Sequence, residues 1–167
     1  GGVKPDLIDL FIHGTTVGTN TLLQEHGSKT ALVITEGFDA IYEVQEQARP
    51  YGKEIFNIRY QRPRLLVDRQ NVVEIPERIG SKGEIVQEID LDLTRSRLET
   101  LSTENISGIA ICLLFSFINP EHERAVRRIA EEVLPGVQVT LSSEICPFIR
   151  EYYLSLIHIS EPTRPLY

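Results

Sequence analysis

What this 167-residue sequence lacks narrows its class before any motif is considered. It contains no methionine, even at position 1, so we expect a piece of a longer protein. No apolar run reaches the roughly 18 residues that a membrane-spanning helix needs. The first residues do not have the composition of a secretory signal peptide. These absences favour a cytoplasmic protein with no membrane partner.

Cysteine is scarce, and its placement excludes the common thiol-based sites. Cys112 and Cys146 form no CxxC pair and lie near no histidine cluster, so the sequence predicts no metal site. Cys112 lies within the apolar run I-A-I-C-L-L-F and is predicted to be a small core residue. Nothing in the sequence requires an oxidising compartment.

Positive charge is also in short supply. The chain has 17 Lys and Arg against 24 Asp and Glu, which gives a formal net charge of -7. Such a chain is a poor general binder of nucleic acid, because phosphate repels it outside any local basic patch. Its 41% hydrophobic and 25% charged residues are ordinary for one soluble folded domain.

Alternating strand and helix patterns predict an α/β fold with a mixed, mostly parallel sheet flanked by helices. Residues 7–12 and 31–35 have the pattern of buried strands, each followed by a helical pattern. Residues 109–115 form an almost unbroken apolar run, which predicts a central strand covered on both faces. Asn119-Pro120 predicts a helix start, and 137–141 a further strand.

Two segments in the middle of the chain interrupt this alternation. Strands at 72–75 and 84–89, on either side of G-S-K-G, are predicted to pair as a hairpin. Residues 48–70 carry five arginines among aromatic residues, prolines and a glycine. That composition suits a nucleic-acid groove, or an irregular excursion whose arginines pair with carboxylates elsewhere. The acidic composition favours the second interpretation.

The turn H-G-T-T-V-G-T-N, at residues 13–20, is the strongest candidate site. A strand that leads into a helix directs free backbone N–H groups and the positive end of the helix dipole at one point, where an anion is favoured. Gly14 permits close approach, Thr15 and Thr16 add hydroxyls, and His13 can titrate near neutrality. The turn has no lysine, so it is not a Walker A loop. A phosphate or carboxylate site and a plain helix cap both remain open.

The turn is the first of several segments that together form an ordered set of motifs. They are H-G-T-T-V-G-T-N-T-L-L at 13–23, E-G-F-D-A-I at 36–41, A-R-P at 48–50, P-E-R-I at 76–79, F-S-F-I-N-P-E-H-E-R at 115–124 and S-S-E-I-C-P-F-I-R-E-Y at 142–152. In this order they resemble the N-terminal region of the hydantoinase A/5-oxoprolinase family, over about residues 7 to 155. We therefore expect residues 1–155 to be an incomplete copy of that region and 156–167 to be a non-native tail.

The resemblance implies part of an ATP-dependent enzyme whose fold is related to the actin/hexokinase-like ATPases. Enzymes of this family activate a lactam, imide or ketone by phosphorylation before ring opening or carboxylation. ATP, Mg²⁺ and a hydantoinase B-like partner subunit or domain are implied with it. The family's Gly-Gly-Thr-Phe-Thr-Asp phosphate motif does not occur here, so we expect the fragment alone to be inactive and to bind no cofactor tightly. A non-catalytic scaffold or subunit-interface domain of the same enzyme is the alternative.

The resemblance also suggests roles for individual residues. His13, Thr15 and Thr16 are the candidate catalytic residues. The candidates for binding substrate or phosphate are Gly14, Thr19, Asn20 and Arg49. Thr19 and Asn20 have an alternative role as hydrogen-bonding residues at the helix start, and Arg49 has one in an internal ion pair.

Other polar residues are expected to be structural. Glu36 and Asp39 suit capping of a short helix at Phe38. Glu144, with Arg150 and Glu151, is expected at a domain interface. His26 and His122 are expected on helix surfaces.

Overall fold

A computed structural model describes residues 29–40, 65, 67–145 and 147. The predicted strand at 7–12, the turn at 13–20, Arg49 and the last predicted helix lie outside these residues. Within them, six strands and three α-helices follow one another along the chain. In chain order these elements are β1 (Thr30–Thr35), β2 (Val72–Ile75), β3 (Arg78–Ile79), β4 (Ile85–Gln87), α1 (Leu91–Glu99), β5 (Gly108–Cys112), α2 (Glu121–Val133), β6 (Gln138–Leu141) and α3 (Ser142–Ile145). Short 3₁₀ helices span Arg69–Asn71 and Thr100–Glu104.

Four of these strands form a sheet in the order β2-β1-β5-β6, and every pairing within it is parallel. The predicted α/β class is confirmed by this sheet and the helices packed on it. The prediction of a buried central strand is also confirmed, since β5 lies between β1 and β6 with all five residues buried. The strand ends at Cys112 rather than at Phe115 as expected. Phe115 has a φ of 57°, a left-handed conformation that a strand cannot contain.

The predicted hairpin has the right turn and the wrong first strand. Residues 72–75 pair in parallel with β1 in the main sheet. The hairpin joins β3 to β4 in antiparallel pairing instead. Pro76 explains the difference, because it has no N–H to donate and separates the apolar run of β2 from β3.

The helices cover one face of the sheet. Asp90 caps α1, and its side chain accepts a hydrogen bond from the Leu93 N–H at 2.9 Å. Helix α2 begins at Glu121, with Pro120 at its N-cap position, one residue later than the Asn119-Pro120 pattern predicts. The Asn119 side chain still accepts a hydrogen bond from the Glu121 N–H at 3.1 Å. Both side chains supply partners for N–H groups that a helix start leaves unpaired.

Two apolar clusters lie on opposite faces of the sheet, as the alternation of side chains along a strand requires. Val33 and Ile111 belong to the cluster that packs against α1 and α2. Leu32 and Cys112 belong to the other cluster, together with Val67. Cys112 is therefore the core residue that its apolar context predicts.

Ile111→Ala tests this core. Ile111 is fully buried at the centre of the sheet, so removing its side chain leaves a cavity between β5 and the helices. We expect the free energy of unfolding to fall by about 2 to 5 kcal/mol. Urea denaturation measures it, with Val86→Ala as the control because Val86 is 63% exposed. Equal losses in the two variants would contradict the described packing.

Candidate functional site at the carboxyl edge of the sheet

Four of the segments that resemble the known family, those within the described residues, meet at one edge of the parallel sheet. Each follows the end of a strand: E-G-F-D follows β1, P-E-R-I follows β2, F-S-F-I-N-P follows β5 and S-S-E-I follows β6. Because the strands are parallel, their carboxyl ends lie on the same side. Open α/β sheets bind ligands at this edge.

A first network links three strand ends to helix α2. The Thr35 hydroxyl, on the last residue of β1, donates to Oε1 of Glu77 and accepts from the Leu114 N–H at 3.0 Å. Oε2 of Glu77 lies 2.7 Å from Nδ1 of His122. All four residues are buried. The network thus fixes the segments after β1, β2 and β5 relative to the start of α2.

The buried position of His122 corrects the expectation that it lies on a helix surface. Its side chain is 3% exposed. The physical reason is its place on α2, where residues 122, 126, 129 and 130 share the inward face at helical spacing. That spacing is visible in the sequence, but a histidine in a charged first turn gives no sign of a buried partner such as Glu77.

A second network surrounds the carboxylate of Glu123, which is also fully buried. Oε1 accepts from the Leu113 N–H at 3.2 Å and from the Ser142 hydroxyl. Oε2 accepts from the N–H and the hydroxyl of Ser143, at 3.0 and 2.6 Å. Ser116 completes the network, with its hydroxyl 2.8 Å from that of Ser142. One side chain of α2 therefore holds both the segment after β5 and the start of α3.

The turn after β1 is held by contacts of its own. Gly37 has a φ of 82°, which favours glycine, and its N–H donates to Glu74 at 2.9 Å. The guanidinium of Arg78 lies 4.5 Å from the centre of the Phe38 ring, in a cation–π arrangement. The turn is thus tied to both β2 and β3.

The acidic residues of this turn take part in ion pairs. Glu36 accepts from Arg97 of α1 at 2.8 Å, and Asp39 lies 3.6 Å from Arg69. Whether Asp39 also caps a helix depends on residues outside those described. The observed pairs tie the turn to α1 and to the segment before β2.

The chemistry of the edge is that of a support rather than of an open ligand site. Glu77, His122 and Glu123 are buried, and their polar atoms are used internally except for Nε2 of His122. The carboxylate oxygen Oε2 of Glu88 lies 4.0 Å from that nitrogen. In the described ranges, no three His, Cys, Asp or Glu side chains are grouped to hold a metal ion. None of the helices described there has the length and apolar character needed to span a membrane.

The candidate residues taken from the turn and from Arg49 remain predictions. His13, Gly14, Thr15, Thr16, Thr19, Asn20 and Arg49 all lie outside the described residues. Four residues of the two networks were not predicted from the sequence: Thr35, Glu77, Glu123 and Ser142. A carboxylate or hydroxyl within two residues of the end of a predicted strand is the signal that could have found Glu77 and Ser142.

Thr35→Val tests the first network. The substitution keeps the shape of the side chain but leaves the Leu114 N–H and one Glu77 oxygen without their observed partner. We expect the free energy of unfolding to fall by about 1 to 3 kcal/mol, the cost of an unpaired buried polar group. Chemical denaturation measures it. Thr100→Val is the control, because its hydroxyl is exposed, and a comparable loss there would argue against a special role for Thr35.

Comparison with known proteins adds an independent observation. Residues 2–134 match the family model described as the hydantoinase/oxoprolinase N-terminal region. The acetophenone carboxylase gamma subunit of Aromatoleum aromaticum is 34% identical over 155 residues, covering 87% of this chain and 21% of the relative. The 5-oxoprolinase of Saccharomyces cerevisiae is 34% identical over 164 residues, covering 82% of this chain and 12% of the relative.

A solved structure agrees with these relatives. The nucleotide-free structure of acetone carboxylase, from work on the mechanism of ATP-dependent acetone carboxylation, superimposes with a TM-score of 0.80 and 26% identity. It covers 87% of this chain and 22% of the acetone carboxylase chain. The present chain therefore spans about a fifth or less of the length of these three proteins.

Proposed function

Because this chain belongs to the hydantoinase/oxoprolinase family, we propose that it forms the N-terminal part of an ATP-dependent enzyme of the hydantoinase/5-oxoprolinase type. The enzyme would activate a lactam, imide or ketone by phosphorylation before ring opening or carboxylation. The observation that carries the proposal is the family match over residues 2–134, which includes the turn at 13–20 and the buried carboxylates Glu77 and Glu123.

The proposed chemistry suits the residues of the turn. An amide or ketone oxygen is a poor leaving group, and ATP supplies the phosphoryl group that makes it a good one. Negative charge that develops on these oxygens is stabilised by oriented N–H and hydroxyl donors. We assign that task to Gly14, Thr15 and Thr16, with His13 holding or moving a proton. Thr19, Asn20 and Arg49 are proposed to position the substrate or a phosphate.

The described carboxyl edge does not itself fit a phosphate or a metal-bound nucleotide. Its two buried carboxylates, Glu77 and Glu123, would repel an anion, and their oxygens already accept hydrogen bonds from the protein. We therefore propose that ATP and Mg²⁺ bind away from these carboxylates, which take no direct part in catalysis. Their proposed task is to position the strand ends.

Positioning matters because catalytic groups lose efficiency when they shift by a fraction of an ångström. Thr35 and Glu77 fix the end of β1, while Glu123 fixes the segment after β5. These contacts lie inside the fold, where motion of one strand end would leave a buried carboxylate unpaired. We infer that the edge stays rigid during turnover.

A scaffold role for this region is the second candidate. It is favoured by the same burial, since Glu77, His122 and Glu123 present no free surface to a ligand. Under this proposal the region holds the ATPase core against a hydantoinase B-like partner, and the turn at 13–20 is only a helix cap. The relative named as a gamma subunit supports a multi-subunit assembly. We propose a cytoplasmic enzyme in either case.

Thr15→Val in the intact enzyme, assembled with its partner, separates the two candidates. Valine keeps the shape of threonine but removes the hydroxyl that we propose faces substrate or phosphate. We expect catalytic turnover to fall by about 10²-fold, as for the loss of one oriented donor, with little change in melting temperature. ATP-dependent product release and thermal unfolding are measured on the same preparation.

Thr103→Val is the matched control, because Thr103 is exposed and its hydroxyl bonds only the local Thr100 carbonyl at 3.2 Å. It should leave both turnover and melting temperature unchanged. If Thr15→Val leaves turnover intact, or lowers it only in proportion to stability, the turn is a helix cap and the scaffold role is supported.

A further inference from the structure

An open groove of about 510 Å³ lies beside the first turns of α2 and is lined mainly by arginine. Its lining consists of Asn119, Glu121, Arg124, Arg127 and Arg128. Three guanidinium groups thus stand beside one free carboxylate on a chain whose formal net charge is -7. A concentration of positive charge on an acidic protein favours an acidic partner.

The central arginine of the groove already holds a carboxylate. Nη1 and Nη2 of Arg127 donate to the two oxygens of Glu144 at 2.8 and 2.6 Å, a bidentate pair. The hydrogen bond from Arg127, with the nearby charge of Arg124, lowers the pKa of the Glu144 carboxyl. The groove therefore shows, within the protein itself, how a carboxylate of a polypeptide binds there.

The two outer arginines have no such occupant. Arg124 and Arg128 are exposed, and neither side chain makes an ion pair or hydrogen bond within the described part of the chain. They lie four residues apart on α2, so their side chains are neighbours on one helix face. Glu121 lies three residues before Arg124 on the same face and is also exposed. These three residues form a stripe of one negative and two positive charges.

Asn119 does not contribute to ligand binding. Its amide donates to the Gly83 carbonyl at 3.0 Å, while its oxygen caps α2. Its role is to hold the hairpin loop at the end of the groove. The exposed free donors among the groove-lining residues are therefore those of Arg124 and Arg128, while Nε of Arg127 lacks a partner but is buried.

We propose that this groove docks an acidic helical segment of a partner protein. Two carboxylates of the segment, four residues apart, would bind Arg124 and Arg128, and a lysine or arginine one turn away would pair with Glu121. The proposal depends on the charge and geometry of α2 and is independent of the enzymatic function proposed above.

The stripe distinguishes this partner from other anions. A free phosphate has no positive group to pair with Glu121 and would be repelled by it, as would the backbone of a nucleic acid. A helix that carries charges at matching spacing satisfies all three residues at once. Specificity of this kind comes from unfavourable pairs as well as favourable ones.

A synthetic helical peptide tests the proposal. It carries one Lys and two Glu on one face, spaced as Lys-x₂-Glu-x₃-Glu, and its affinity for the purified chain is measured by fluorescence anisotropy at low and moderate salt. We expect salt-dependent binding that Arg124→Gln with Arg128→Gln weakens by about tenfold. A triple variant with Glu121→Lys, Arg124→Glu and Arg128→Glu reverses the charges of the stripe. It should bind a peptide of reversed charges, in which both Glu are replaced by Lys and the Lys by Glu, about as tightly as the parent chain binds the first peptide.

Lys29→Gln with Lys82→Gln is the matched control, because it removes the same net charge at exposed positions outside the groove lining. Its affinity should stay within about twofold of the parent. A peptide of identical composition, with the three charges on different helix faces, should bind at least about fivefold more weakly.

Several results would overturn the proposal. They are equal binding of the two peptides, equal weakening by the groove and control variants, and displacement of the peptide by inorganic phosphate or an oligonucleotide at equal charge concentration. Self-association of the chain that the groove variants abolish would assign the surface to a second copy instead, and would also overturn it.

Discussion

The structure depends on two buried carboxylates that must keep their hydrogen-bond partners. Glu77 and Glu123 are withdrawn from water at the carboxyl edge of the sheet, and an unpaired charge there would be strongly destabilising. Their partners come from the ends of three strands, or the segments that follow them, and from His122 of α2. The sheet register, the start of α2 and the position of α3 are therefore coupled. A shift in any one of them would leave a buried carboxylate oxygen without its hydrogen-bond partner.

This coupling explains why four of the segments that resemble the family are separated in sequence but adjacent in space within the described residues. Each supplies hydrogen-bonding groups after a parallel strand, and parallel strands reach the same edge only through long connections. A ligand site built beside such an edge would inherit its rigidity.

The sequence predicted those elements whose signals are local. The apolar run around Ile111 and the polar side chain of Asn119 before Pro120 identify the central strand and the start of α2 without reference to distant residues. The hairpin was misplaced because Pro76 divides two runs of similar composition. The pairing of β2 with β1 also joins residues some 40 positions apart, and no local pattern specifies such a partner.

The polar networks were harder to predict for the same reason. His122 lies among charged residues, and its burial depends on Glu77, which is 45 positions away in the sequence. Glu123 differs from its exposed neighbour Glu121 only in the direction in which the helix turns it. One carboxylate therefore becomes part of the core, while the other remains free on the groove that Arg124 and Arg128 line. The two faces of helix α2 thus have different roles. The inward face holds the strand ends, and the outward face presents charge to a partner.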